Sequence, residues 1–392
     1  MNLARALPLL GGLSAQEFMR RYWQKKPHLV RSALGDAWPG LDATRVFAMA
    51  ARDDVESRLV ERHGGDWSVR HGPFPRRALP AQKTPNWTLL VQGADLHADA
   101  GRELLERFRF VPDARLDDVM LSFASDGGGV GPHVDSYDVF LLQVRGRRRW
   151  RIGRAAAPRL RDDVPLKMLA GFEPEQEWLL DAGDMLYLPP GWAHDGVAEG
   201  CCITASIGFR SPRGSELAVD TLQRQLEAAA ESAQDEESSD GGSAGAHRHG
   251  GRYRDRAQSA TLHPGRIPAA MQRFADDAVA RWLADTGSRR RALGEVLSEP
   301  KPRTAFLPWH EVRIEAAVQL DRRTRMLYDE RHVYINGESY HAGGDDALLM
   351  RRLADRRRLE AAEVARLGPE ARLLLDEWAE AGWCRPQESP RR

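Results

Sequence analysis

The sequence predicts a mixed, mainly β protein: a jelly-roll or sandwich core, then a helical stretch, then a small α+β unit. Three observations carry this. Between Asp118 and Phe209, short β-rich runs alternate with Gly, Pro and Asp clusters. From Glu216 onward apolar residues fall on helical spacing, and past Lys301 a strong hairpin turn, Asn336-Gly337, joins two strand-like runs. At 392 residues the chain has length for two or three domains.

The N-terminal run Ala6 to Leu13 is apolar but broken by Pro8, Gly11 and Gly12, and Ser14 with Glu17 has capping-box spacing. A helix entry is expected there, and not a signal peptide. Phe18, Tyr22 and Trp23 follow on helical spacing, and Trp87 to Gln92 reads as a strand. Val119–Phe123, Val139–Val144, Trp150–Ile152, Met185–Leu188 and Cys201–Phe209 are the strand candidates of the core. Leu217, Val219, Leu222 and Leu226 mark a helix over Glu216 to Ala229. Residues 233–252 are Ser, Gly, Asp, Glu and His with almost nothing apolar, so they are expected to form a mobile insert, with His247 and His249 as filler and not metal ligands. Helical pattern resumes from Ile267 to Leu297, and Pro300 with Pro302 marks a boundary. Beyond it, strands at Arg325–Tyr328, His332–Ile335 and Glu338–His341 precede helices at Asp345–Leu359 and Pro369–Trp378, a pattern compatible with a winged helix. The expected boundaries are 1–213, 214–300 and 301–392.

Charge excludes some functions. Lys+Arg and Asp+Glu are both 57, which removes the bulk case for a nucleic-acid or anionic-membrane binder. The tail from Lys301 carries 17 basic and 16 acidic residues, so a DNA-binding winged helix has little electrostatic support. No apolar stretch approaches the roughly 20 residues of a membrane span. Three cysteines, two of them the neighbours Cys201 and Cys202 on opposite faces of a strand, suit a reducing cytoplasm and small-hydrophobe packing. No phosphate loop, His-Glu-x-x-His or Cys-x-x-Cys pair is present.

The informative segment is Gly127-Gly128-Gly129-Val130-Gly131-Pro132-His133-Val134-Asp135-Ser136-Tyr137. On a strand, His133 and Asp135 share a face, because side chains repeat every two residues. With a remote His they would form a 2-His-1-carboxylate triad, which holds Fe(II) on one face and leaves the opposite positions open. The remote partner is His194, 59 residues after Asp135, behind the rigid turn Leu188-Pro189-Pro190-Gly191. A second His-x-Asp, His97-Ala98-Asp99, opens a helical run; residues two apart on a helix diverge and cannot chelate one ion.

The His133-Val134-Asp135 segment with its glycine lead, the Leu-Tyr-Leu-Pro-Pro-Gly turn before His194 and the early Tyr22-Trp23-Gln24-Lys25-Lys26-Pro27 resemble the JmjC-type 2-oxoglutarate oxygenases, and among them the bacterial ribosomal oxygenases. The resemblance covers residues 18 to 210 specifically and the rest by pattern and length. It implies a double-stranded β-helix (cupin-like jelly roll), a helical dimerisation region and a winged-helix-like tail. It also implies Fe(II) on His133, Asp135 and His194, with 2-oxoglutarate and O2 as co-substrates and succinate and CO2 as co-products. Arg148, in Gly146-Arg147-Arg148-Arg149-Trp150, matches the position that binds the far carboxylate of 2-oxoglutarate, and Ser122 the hydroxyl that assists it. A guanidinium suits a carboxylate because it binds in bidentate fashion. Strand alternation should send Arg148 inward and Arg147 and Arg149 outward. Asp118, Met120 and Tyr137 would contact substrate: a carboxylate and a phenol ring suit a guanidinium. The implied reaction is hydroxylation at the β-carbon of an arginine in a large-subunit ribosomal protein by a cytoplasmic homodimer. A same-fold hydroxylase of His or Asn, a histone demethylase and a non-enzymatic cupin-like binding module are the alternatives.

Overall fold

Ser14 and Glu17 close the capping box that their spacing predicts. Ser14 Oγ accepts the Glu17 N–H at 3.2 Å, and Glu17 Oε2 accepts the Ser14 N–H at 2.9 Å, which starts helix α1 (Ala15–Arg21). The computed structural model describes residues 3–34, 40–155, 158–238, 253, 265–309 and 313–387. Two compact units result: Met1–Ser211 with Arg303–Ala305, and Pro212–Pro302 with Phe306–Arg392.

The first unit is built on one antiparallel sheet system. Its strands are β1 (His28–Val30), β2 (Ser57–His63), β3 (Asp66–His71), β4 (Trp87–Val91), β5 (Leu116–Ala124), β6 (His133–Val134), β7 (Val139–Arg154), β8 (Gln176–Leu180), β9 (Met185–Leu188) and β10 (Trp192–Phe209). They hydrogen-bond in the order β1-β9-β7-β10-β5-β4-β2-β3, with β6 added to β10 and β8 to β7. Helices α2 (Ala43–Ala50), α3 (Ala94–His97) and α4 (Asp99–Glu106) complete the unit.

β7 and β10 organise this sheet. Residues 192–199 of β10 pair with 147–154 of β7, and after a register shift 203–208 pair with 139–145. Gly146 and Gly200 take left-handed backbone at the shift, φ 68° and 72°, so each strand bends and serves both halves of the jelly roll. β5 shows the resulting division of faces. Val119, Leu121 and Phe123 enter the main apolar core with Phe18, Phe140 and Tyr187, while Asp118, Met120 and Ser122 face the other way. A second, smaller core of Leu141, Trp150, Ile152, Leu180, Leu186 and Leu188 lines that opposite side.

Trp23 of the early Tyr-Trp-Gln motif belongs to the main core, while Gln24 is exposed. Trp23 stacks on Tyr187 and meets Phe209 edge-on, at centroid distances of 5.8 and 5.0 Å. His97 and Asp99 do not share a helix. Ala98 between them is extended (φ −139°, ψ 136°) and separates α3 from α4.

The second unit holds α5 (Gly214–Ser238), α6 (Ala269–Ala284), α7 (Thr286–Ser298) and an α+β tail. The tail contains β11 (Ala317–Leu320), β12 (Met326–Tyr328), β13 (His332–Ile335), β14 (Glu338–His341), α8 (Gly344–Arg356), β15 (Arg358–Leu359), α9 (Ala361–Val364), α10 (Pro369–Glu380) and β16 (Cys384–Gln387). The Asn336-Gly337 turn has φ of 50° and 93°, which fits the primed hairpin turn that such a pair favours. Leu353, Leu359, Leu375 and Val318 form its core, all fully buried. Helix α5 runs on to Ser238, so 233–238 is helical where the composition suggested a mobile insert; Ala, Gln and Glu are good helix formers, and a polar segment extends an existing helix at little cost. Residues 239–252, with His247 and His249, lie outside the described residues.

Candidate active site

The two-residue strand β6 decides the site. It pairs with β10 so that His133 lies opposite His194, and the two imidazole centroids are 4.2 Å apart. Asp135 follows on the same face, with Oδ2 3.7 Å from His194 Nε2. One ligand atom from each of the three lies within 4.8 Å of the others, and among the described residues this is the one group of three such side chains able to hold a metal. The Pro-Pro-Gly turn adds a backbone tie: the Gly191 N–H donates to Asp135 O at 2.9 Å.

Tautomer and charge suit a cation. His133 Nδ1 is 3.0 Å from Gly131 O and His194 Nδ1 is 3.1 Å from Trp192 O. A carbonyl partner requires the proton on Nδ1, which leaves each Nε2 lone pair directed to the centre. Burial holds His194 well below the ordinary 6.5, reinforced by His133, which keeps its imidazole neutral and able to accept a cation. Burial pushes Asp135 above the usual carboxylate range, against the pull of His133 and of the Tyr137 hydroxyl that donates to it. Two imidazoles and a carboxylate on one face form the donor set of an Fe(II) facial triad.

Deeper in the same barrel, Arg148 is 3% exposed. Its Nη1 donates to Ser122 Oγ at 2.9 Å and to Thr204 Oγ1 at 3.4 Å, and its Nη2 to Gly196 O at 3.2 Å. Its guanidinium lies 4.9 Å from the Trp150 ring centroid. Among the described residues no carboxylate pairs with it and its Nε has no partner; nor has the buried indole N–H of Trp150 beside it. Burial lowers the Arg148 pKa from 12.5, yet a guanidinium remains protonated. A buried cation without an anion is costly, and an incoming carboxylate would offset that cost. Arg147 and Arg149 point outward; Arg149 pairs with Glu177 at 2.6 Å and with Glu199 at 2.5 Å.

Two polar residues here had no signal in the sequence. Thr204 Oγ1 donates to Gln143 Oε1 at 2.9 Å, and Gln143 Nε2 donates to Arg145 O at 2.9 Å. Both are buried; Thr204 reaches Arg148 and Ser122 from β10, and Gln143 backs Thr204 from β7, the strand that carries Arg148. Gly196 is also required: a Cβ there would lie 2.7 Å from the Trp150 ring and 2.8 Å from Arg148 Nε.

Asp118 and Tyr137 stand on the triad side of the pocket. Asp118 is buried, and its Oδ2 accepts the Gly93 N–H at 3.1 Å. Tyr137 is 39% exposed: its ring keeps a solvent face while its hydroxyl turns inward to Asp135. Burial of that hydroxyl, then Asp135 and Asp118, pushes the phenol pKa above 10. Met120 is half-buried opposite Ser206. Of the neighbouring cysteines, Cys202 packs with Ala124 and Ala198, but Cys201 is exposed and is not a core residue, because the strand pleat turns it outward at the register shift.

Comparison with known proteins agrees with this architecture. Residues 103–217 match the family model described as the JmjC domain, and residues 269–385 the one described as a ROXA-like winged helix. Over 219 residues the chain is 38% identical to the ribosomal protein uL16 3-hydroxylase of Escherichia coli (strain K12), an alignment covering 55% of this chain and 58% of that protein. It is 36% identical over 213 residues to the probable ribosomal oxygenase of Haemophilus influenzae, covering 52% of each. The matched stretch therefore spans little more than half the length of these relatives. The X-ray structure of E. coli ycfD superposes with a TM-score of 0.79 at 27% identity, covering 95% of this chain and 98% of that one. The structure of YcfD in complex with cobalt and 2-oxoglutarate gives 0.75 at 26% identity, with the same coverage.

Proposed function

We propose that this chain, which carries a JmjC domain ahead of a ROXA-like winged helix and is similar to bacterial ribosomal oxygenases, is an Fe(II)- and 2-oxoglutarate-dependent protein hydroxylase. Its substrate would be an arginine of a large-subunit ribosomal protein, modified at the β-carbon. The observation that carries the proposal is the buried, anion-free Arg148 in the same barrel as the His133, Asp135 and His194 cluster.

His133 Nε2, Asp135 and His194 Nε2 would hold the iron. When bound, it supplies the redox chemistry by which O2 and 2-oxoglutarate give succinate and CO2 while one oxygen atom enters a substrate C–H bond. The protein positions the reactants. Arg148 and Ser122 take the far carboxylate of 2-oxoglutarate, with Thr204 and Gln143 fixing the hydrogen-bond polarity behind them. The buried Trp150 ring beside Arg148 would keep water from the carboxylate and strengthen its ion pair. Asp118 supplies counter-charge to a substrate guanidinium, and the open face of Tyr137 supplies a surface on which it stacks.

Self-association through the helical region is part of the proposal. Val219 and Leu226 on α5 and Val279 and Leu283 on α6 are about half exposed or more, an apolar display that a second copy would cover. No helix among the described residues is long and apolar enough to cross a membrane, and we place the protein in the cytoplasm beside its substrate.

Intact-mass analysis of ribosomal proteins after incubation with the protein, Fe(II) and 2-oxoglutarate tests this. One protein should gain the mass of one oxygen atom, with fragmentation placing it on an arginine; a gain on His or Asn, or none, would overturn the substrate assignment. Asp118→Asn keeps an oxygen for the Gly93 N–H, so it should weaken substrate binding while sparing substrate-free 2-oxoglutarate turnover.

A further inference from the structure

The segment that carries Asp135 and Tyr137 has little secondary structure to hold it. It lies between the two-residue β6 and the start of β7, and Ser136 to Asp138 pair with no strand. Tyr137 is not fixed by burial either. What ends the segment is Asp138, fully buried, whose carboxylate collects three donors from three distant parts of the chain. Tyr187 Oη donates to Oδ1 at 2.6 Å, Gln24 Nε2 to Oδ2 at 3.0 Å, and Arg115 Nη2 to Oδ2 at 3.4 Å. The backbone takes part as well, since the Phe209 N–H donates to Asp138 O at 3.2 Å.

The donors are themselves pinned. Tyr187 Oη accepts the Gln24 N–H at 2.8 Å, so the phenol accepts from Gln24 and donates to Asp138 in one direction only. Gln24 takes left-handed backbone, φ 55°, at the end of the turn after α1. Arg115 Nε donates to Arg210 O at 2.6 Å, and its guanidinium lies 5.8 Å from the Trp23 ring.

We propose that Asp138 is a positioning residue, the anchor that fixes Asp135 and Tyr137 in register, and that Gln24 serves the active site through it. This rests on the hydroxylase proposal and extends it to residue 24, well before residue 103, where the match to the JmjC domain begins. The physical reason is that a carboxylate ligand on an unpaired segment binds metal well only if its backbone is held before the metal arrives. Neutralising Asp138 removes the charge that gathers Gln24 and Arg115, and the segment gains freedom that metal binding must then withdraw.

The test uses the full-length protein and Co(II) titrated anaerobically, with and without 2-oxoglutarate, alongside Asp138→Asn and Gln24→Ala. Outer-shell changes of this kind cost about 10–100-fold in metal affinity. Asp138→Asn should weaken Co(II) binding at least tenfold and raise the ratio of 2-oxoglutarate consumed to substrate hydroxylated. Gln24→Ala should do both to a smaller extent, and Gln24→Lys, which restores a donor, should recover them. Gln24 is exposed and keeps its backbone N–H on substitution, so these two variants decide the question if Asp138→Asn does not fold. Folded variants with wild-type Co(II) affinity and wild-type coupling would overturn the anchor role, leaving Asp138 a stability residue. If the wild type itself bound neither Co(II) nor 2-oxoglutarate, the hydroxylase proposal would fail first.

Discussion

Replacing Arg148 with Met separates what the pocket does for the fold from what it does for its ligand. The free protein loses three charge-assisted hydrogen bonds, to Ser122, Thr204 and Gly196, at about 1.5–3 kcal/mol each. Against this, it sheds a buried cation with no anion, whose desolvation penalty is several kcal/mol. The two oppose, so stability without ligand should change by only about 2 kcal/mol, less than either sum taken alone. Ligand binding has no such offset. A 2-oxoglutarate carboxylate left in the barrel without its cation forfeits about 3–5 kcal/mol, the cost of breaking a buried pair. At 1.4 kcal/mol per decade that is a hundredfold to a few thousandfold loss of affinity. The assay is anaerobic calorimetry with metal present, supported by thermal unfolding. Wild type should gain about 2.7 kcal/mol when ligand reaches 100 times its Kd, and the variant at most about 0.4 kcal/mol at that concentration. A variant that binds 2-oxoglutarate within tenfold of wild type would refute the assignment of Arg148 as the carboxylate partner.

Other changes probe neighbouring parts. Gly196→Ala places a methyl group against the Trp150 ring and Arg148 Nε; it should lower stability by about 1–3 kcal/mol and weaken 2-oxoglutarate while sparing Co(II) affinity, read by the same titrations. Stability of the metal-free protein should fall as pH drops below 6.5. His194 has a folded pKa below its unfolded value, so the unfolded chain binds more protons in that window; chemical denaturation from pH 7 to 5 measures the slope, and His194→Gln should flatten it. Gly337→Ala in the tail hairpin forces a side chain to φ 93° and should cost about 1 kcal/mol or more, visible as a lower denaturation midpoint with 2-oxoglutarate affinity unchanged.

Periodicity made part of this architecture legible. His133 and Asp135 share a face because a strand repeats every two residues, and the same rule separates Arg148 from Arg147 and Arg149. Asn336-Gly337 announced its turn because few other pairs tolerate two positive φ values. What stayed hidden depends on sheet register. Gln143, Thr204 and Gly196 surround Arg148 through pairings between β5, β7 and β10, and nothing local marks a buried Gln as a hydrogen-bond relay. Asp138 was hidden for a similar reason: its partners at 24, 115 and 187 meet only after the chain has folded. The break at Ala98 and the extension of α5 to Ser238 show the converse, local conformations set by neighbouring structure against the composition of the segment.

The imidazoles of His133 and His194 each lean on a carbonyl two residues upstream in their own backbone, and that has a consequence for metal supply. A nitrogen lone pair aimed in advance greets every divalent first-row ion alike, and such sites favour nickel, copper and zinc over iron as a matter of ligand-field order. Among the described residues no thiolate or further carboxylate joins the three ligand atoms of the triad to reverse that order. Loading with iron is therefore a matter of what the cell makes available. Purified protein exposed to trace zinc or nickel should be inert until a chelator strips it and ferrous iron is returned.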